Sequence, residues 1–142
     1  MKFYKVYPEV PASFGKETKF EQTSIPMKIS NLKIQFEGWL GSDIMELSPL
    51  FFVTERLGLK LQTMNLTGIE SLESLDAFKS ENFNEIYPDK EIPKCQLLKV
   101  SGHAFVDDFG IESGYLIVSE RIYNILHEFN LTGVEIEELP IV

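Results

Sequence analysis

The sequence predicts an α+β domain: a mixed or antiparallel sheet with two main helices, built partly from an internally repeated strand–helix–strand unit. Three observations predict it. Shifting the chain by 65 positions lays Phe52–Glu70 over Ile117–Glu135 without a gap, with nine of nineteen positions identical. Leu32, Ile34 and Phe36 alternate with Lys33, Gln35 and Glu37, the period of a half-buried strand. Ile122, Ile125, Leu126 and Phe129 recur at the spacing of one helix face, over about 10 Å of helix.

A chain of 142 residues, 44% hydrophobic and 25% charged, suits a single domain over residues 1–142, with the repeated units at about 50–75 and 115–139. Lys2 to Tyr7 is aromatic and β-branched enough for a strand, which Pro8 and Pro11 end. Residues 12–26 read as a loop. Within Ile25–Trp39 lies the alternating strand, its end bracketed by Gly38 and Gly41. Two short apolar stretches follow, Ile44–Leu47 and Leu50–Val53, separated by Ser48 and Pro49. Ser71–Lys94, interrupted by Pro88 and Pro93, reads as a short helix or irregular segment. Cys95–Val106 reads as a strand pair broken near Ser101 and Gly102. Asp107–Gly110 makes a turn in which an Asp side chain bonds the backbone and Gly110 supplies positive φ. Tyr115–Val118 is the strand leading into the last helix.

The repeated unit carries start and stop signals. Ser119 and Thr54 are expected to cap the two helices, with Glu120 and Glu55 placing negative charge in the first turn. Gly58 and Lys60 interrupt the apolar stripe of the first copy, so its helix is expected to be the weaker. Asn130 and Asn65 are expected to stop the helices in the left-handed conformation, with Leu131 packing back on Leu126 and Leu66 on Leu61. Val134–Glu137 then forms a strand with Glu135 and Glu137 on its outer face. Arg56 and Arg121 stand in the first turn, where positive charge opposes the helix dipole. A tertiary ion pair with a nearby carboxylate is the favoured explanation, a binding role the other.

Thirteen basic against twenty-two acidic side chains give a net charge of −9, which repels nucleic acid and membrane phosphates and attracts cationic partners. No apolar run approaches the roughly 20 residues of a membrane-spanning helix, and Met1–Tyr7 lacks a cationic head before an apolar stretch, so a cytoplasmic location is expected. The single cysteine, Cys95, excludes an internal disulfide and a thiolate metal cluster, and it reads as a small buried hydrophobe. No metal or other cofactor is expected. Acid–base chemistry has two histidines to draw on. His127 lies beside the apolar stripe, a surface position, whereas His103 lies near Asp107 and Asp108, the one place where a base and carboxylates converge. The triplet Asp108-Phe109-Gly110 lacks every other kinase signature. Trp39, between Gly38 and Leu40-Gly41, serves either the core or a partner.

Asp107-Asp108-Phe109, then Leu116-Ile117-Val118-Ser119-Glu120-Arg121, and a helix closing in Phe129-Asn130-Leu131 form a pattern that resembles the C-terminal half of small bacterial immunity proteins of polymorphic toxin systems. The resemblance covers residues 104–139. Relatives in that group often carry a doubled Cys-x-x-Cys-Gly motif; this chain has one cysteine, so no metal is carried over. The resemblance implies a cytosolic, non-enzymatic protein that binds a cognate toxin domain and blocks its active site or substrate groove. An acidic surface suits a basic toxin. Trp39, Asp43, Asp107, Asp108, Glu135 and Glu137 are the candidate partner-binding residues. A small enzyme using His103, Asp107 and Asp108, with or without an oxygen-ligated divalent metal, is the rival reading, and a structural or adaptor protein is a third.

Overall fold

Residues 2–21 and 28–140 are described by a computed structural model. Along the chain they form β1 (Phe3–Tyr7), β2 (Ala12–Phe14), β3 (Lys19–Glu21), β4 (Lys28–Ser30), β5 (Ile34–Phe36), β6 (Ile44–Leu47), β7 (Leu50–Thr54) and α1 (Glu55–Gln62). There follow β8 (Ile69–Leu75), β9 (Ala77–Lys79), α2 (Glu81–Ile86), β10 (Cys95–Val100), β11 (Phe109–Glu112), β12 (Tyr115–Ser119), α3 (Glu120–Leu126) and β13 (Glu135–Leu139). The class is α+β, as the sequence predicts. Among the described residues there are three helices rather than two, and the strands divide among several sheets.

Two sheets have the same four-strand order, β6-β7-β10-β8 and β11-β12-β1-β13, with every neighbour antiparallel. The two segments alike in sequence each run strand, helix, strand: β7-α1-β8 and β12-α3-β13. In each sheet a strand from elsewhere, β10 or β1, is inserted between the strand before the helix and the strand after it. Both sheets and both helices bury side chains in one core, including Val6, Val53, Leu57, Leu116, Val118 and Ile122. Tyr4 stacks on Tyr123 of α3 with ring centroids 3.9 Å apart, tying β1 to that helix. Because strand side chains alternate, Phe51 and Val53 of β7 enter this core while Phe52 points the other way. Phe52 meets a second core formed with Ile34, Phe36, Met45, Phe83 and Cys95, under the small sheet β2-β5-β9. In that sheet β5 and β9 are parallel.

Several expectations are corrected. Residues 12–14 and 19–21 are strands, paired with β5 and β4, although the segment reads as a loop. These strands are three residues long, too short for an alternation to register, and β3 is wholly exposed. Residues 22–26 of that loop, and 25–27 at the start of the Ile25–Trp39 strand, lie outside the described residues. The middle segment holds β8 as well as a short helix. Ile69, Leu72 and Leu75 recur every third residue, yet they pair with β10 through a register shift at Lys99/Val100. Helix α2 starts where the Ser80 hydroxyl accepts from the Phe83 N–H at 3.0 Å. Cys95–Val106 is one strand followed by a turn rather than a strand pair.

The helix signals are met in part. Ser119 caps α3, accepting from the Ile122 N–H at 3.4 Å, but Thr54 makes no such bond to α1; its hydroxyl donates to Asp43. Neither Asn65 nor Asn130 has positive φ. The helices end earlier, at Gln62 and Leu126, and the left-handed residues are Gly68 (φ 92°) and Gly133 (φ 81°), which turn the chain toward β8 and β13. Phe129 therefore packs on the core from beyond the end of α3. Gly58 is buried where Gln96 of β10 meets α1; a β-carbon there would lie 1.8 Å from the Gln96 Oε1, so the small residue makes room for the Gln96 side chain. Gly110 lies in β11 without positive φ, and what demands glycine is space: a β-carbon would lie 2.3 Å from the Ala104 amide nitrogen.

Gly68 and Gly114 both have positive φ, but a β-carbon at Gly68 would lie 2.1 Å from the Phe109 carbonyl oxygen, while Gly114 has nothing within 4 Å. Urea unfolding is expected to show Gly114→Ala costing about 1–2 kcal/mol through backbone strain. Gly68→Ala should cost a further 1–3 kcal/mol or so through overpacking. Equal losses would show that the close approach at Gly68 contributes nothing.

Candidate functional site

Asp43 and Asp108, 65 positions apart, occupy matching places: each directly precedes the first strand of a hairpin, β6-β7 or β11-β12. Both are buried, at 1% and 9% exposure. A buried carboxylate is stable only if its oxygens are filled by donors. The Asp43 Oδ1 accepts from the Thr54 hydroxyl and, at 2.7 Å, from the Arg56 Nε; its Oδ2 accepts from the Arg56 Nη2. Asp108 repeats the pattern, its Oδ1 accepting from the Ser119 hydroxyl at 2.7 Å and its Oδ2 from the Arg121 Nη2. Arg56 and Arg121, standing unfavourably at helix starts, are there to neutralise these aspartates.

Each aspartate also reaches across to the loop behind the other unit's helix. The Asp43 Oδ2 accepts from the Asn130 N–H at 2.8 Å, and the Asp43 N–H donates to the Asn130 carbonyl at 2.9 Å. Reciprocally, the Asp108 Oδ2 accepts from the Thr67 N–H at 3.0 Å, while Arg121 donates to the Asn65 carbonyl at 2.9 Å. Burial alone would raise both carboxyls. The hydrogen bonds from arginine, hydroxyl and backbone outweigh it, holding Asp43 below its ordinary range and Asp108 at about 2.

Asp107 is engaged as well: its Oδ2 accepts from the His103 backbone N–H at 2.7 Å, which closes the turn before β11. His103 and His127 are exposed, and His127 packs edge-on against Tyr123 at 4.4 Å. Among the described residues no three His, Cys, Asp or Glu side chains converge to hold a metal ion. Cys95 is buried, and burial pushes its thiol up to about 12. Trp39 is half-buried against the second core, its indole N–H donating to the Ser42 carbonyl at 3.0 Å. It lines a cleft of about 540 Å³ together with Asp43, Arg56, Lys94 and Asn130. Thus Trp39 and Asp43 come together, but the carboxylate presents almost no surface there.

Glu135 and Glu137 lie apart from that cleft, exposed on β13 beside Tyr7 and Lys5 of β1. The Tyr7 hydroxyl donates to the Glu137 Oε2 at 3.1 Å, and burial together with this bond raises the phenol above its ordinary range. Protein-family models, curated proteins and solved structures were compared with the chain, and none matches. Tyr7, Lys5 and Tyr115 escape the sequence reading, although Phe3, Lys5 and Tyr7 alternate with the buried Tyr4 and Val6. That alternation was a signal that β1 has a second face.

The Asp108 pairing stabilises the fold only while the carboxyl is ionised. Its pKa of about 2 lies below the ordinary 3.8, so its contribution is complete above about pH 4 and is lost as pH falls through 2. That contribution is about 2 kcal/mol. Urea midpoints measured from pH 5 to pH 2 are expected to fall in the native chain. In Asp108→Asn they should start lower, by on the order of 3 kcal/mol, and vary less with pH. An unchanged pH slope in Asp108→Asn would assign the acid sensitivity elsewhere. The Cys95 thiol is expected to resist Ellman's reagent at pH 8 in the folded chain and to react fully in urea; prompt reaction without denaturant would contradict its burial.

Proposed function

We propose that this chain is a non-enzymatic, cytoplasmic binding protein that neutralises a cognate bacterial toxin domain by direct contact, as an immunity protein does. The observation that carries the reading is the occupation of Asp43, Asp107 and Asp108 within the fold. A hydrolytic centre around His103 would need the last two of these carboxylates free to meet substrate or metal. With them committed to the fold, the charge available to a partner is the glutamate-rich exterior of a protein of net charge −9. Such an exterior steers a basic protein partner toward it and repels nucleic acid and anionic membranes. No helix among the described residues is long and apolar enough to cross a membrane.

Affinity capture of the native protein is expected to retain a domain whose expression alone arrests bacterial growth, with growth restored when this chain is co-expressed. A retained partner without toxicity, or an arrest the chain does not relieve, would overturn the proposal.

A further inference from the structure

In β1 the buried Tyr4 and Val6 face the main core, so Phe3, Lys5 and Tyr7 line the opposite face of the sheet. The antiparallel registers bring three side chains of β13 beside them: Glu135 opposite Tyr7, Glu137 opposite Lys5 and Leu139 opposite Phe3. On the other side β12 contributes Tyr115, whose neighbour across the edge is Glu112. Tyr7 and Tyr115 meet edge to face at 5.6 Å, and Phe105 meets Phe3 in the same way at 5.7 Å. Tyr115 and Phe105 remain 43% and 45% exposed. This side of the sheet therefore carries two aromatic pairs, Tyr7–Tyr115 and Phe3 with Phe105 of the loop before β11, and sets three glutamates against a single lysine.

We infer that this face docks the partner, and that the partner's contacting surface is cationic, with arginine side chains stacking on the exposed rings and pairing with Glu112, Glu135 and Glu137. The inference rests on the binding role proposed above. The face already displays the chemistry, since the Lys5 ammonium lies 4.5 Å from the centre of the Tyr115 ring. A guanidinium suits the site better than an ammonium, because it stacks flat on a ring while forking to a carboxylate. An apolar partner would bury the glutamates without counter-charge. A second copy would set three glutamates against three more, and phosphate-bearing partners would be repelled.

The test is NMR titration of the full chain with a short peptide of alternating arginine and glycine, and with its lysine counterpart. Expected are shifts centred on Lys5, Tyr7, Tyr115 and Glu137, tighter binding of the arginine peptide, and about tenfold weaker binding in Tyr115→Ala and in Glu137→Gln. Both positions are exposed, and the amide spectrum of each variant reports its fold. Shifts centred on the Trp39 cleft, shifts spread evenly over all acidic surfaces, equal binding of the two peptides, or no binding would overturn the inference. Toxin neutralisation that survives Tyr115→Ala combined with Glu137→Gln would also overturn the docking face while leaving the proposed function standing. A chain that binds the arginine peptide here but relieves no toxicity would overturn the function alone.

Discussion

A carboxylate taken out of water must be held by enough donors to replace its hydration, and this fold takes two of them to the seams between its halves. Each is held by an arginine and a hydroxyl from its own unit and by a backbone N–H from the other. The four-stranded sheets thereby acquire a fixed relation that apolar packing alone, being non-directional, would specify less sharply. Removing one partner of such a group leaves the other buried and uncompensated, so the two seams are the most demanding polar positions in the molecule.

That demand explains features that otherwise look like defects. An arginine in the first turn of a helix is electrostatically misplaced until the aspartate thirteen residues earlier is seen beneath it. Thr54 donates to the same carboxylate and does not cap α1, whereas Ser119 serves both as donor to Asp108 and as acceptor for α3. The loops after the helices, where Asn65, Thr67 and Asn130 lie, are fixed mainly by what they offer the opposite aspartate.

Much of this was legible in the amino-acid sequence. Strong periodicity marked β5 and α3, aromatic and β-branched composition marked β1, the serine before α3 marked the start of that helix, and the arginines in the first turns pointed to carboxylate partners. Which carboxylates was not legible, because the pairing depends on contacts between segments far apart in the chain. Asp43 and Asp108 read as partner-binding residues for that reason, whereas the fold buries both. β8 was implied by the repeated strand–helix–strand unit at about 50–75 but not by its own three-residue apolar spacing, which pairing with β10 overrides, and β2 and β3 were too short to show a period. Of the candidate binding residues, Glu135 and Glu137 stand on the surface as their alternation implied. Their aromatic neighbours come from β1 and β12, which only the sheet registers reveal.

The place of β1 in its sheet has a further consequence, for biosynthesis. Residues 3–7 are made before their hydrogen-bonding neighbours, residues 116–119 on one side and 135–139 on the other. Until residues 116–119 are available, the first strand has neither neighbour in its sheet. Closing so long a loop is entropically slow, so this sheet is completed late in folding, when a strand is captured by segments more than a hundred residues further along the chain.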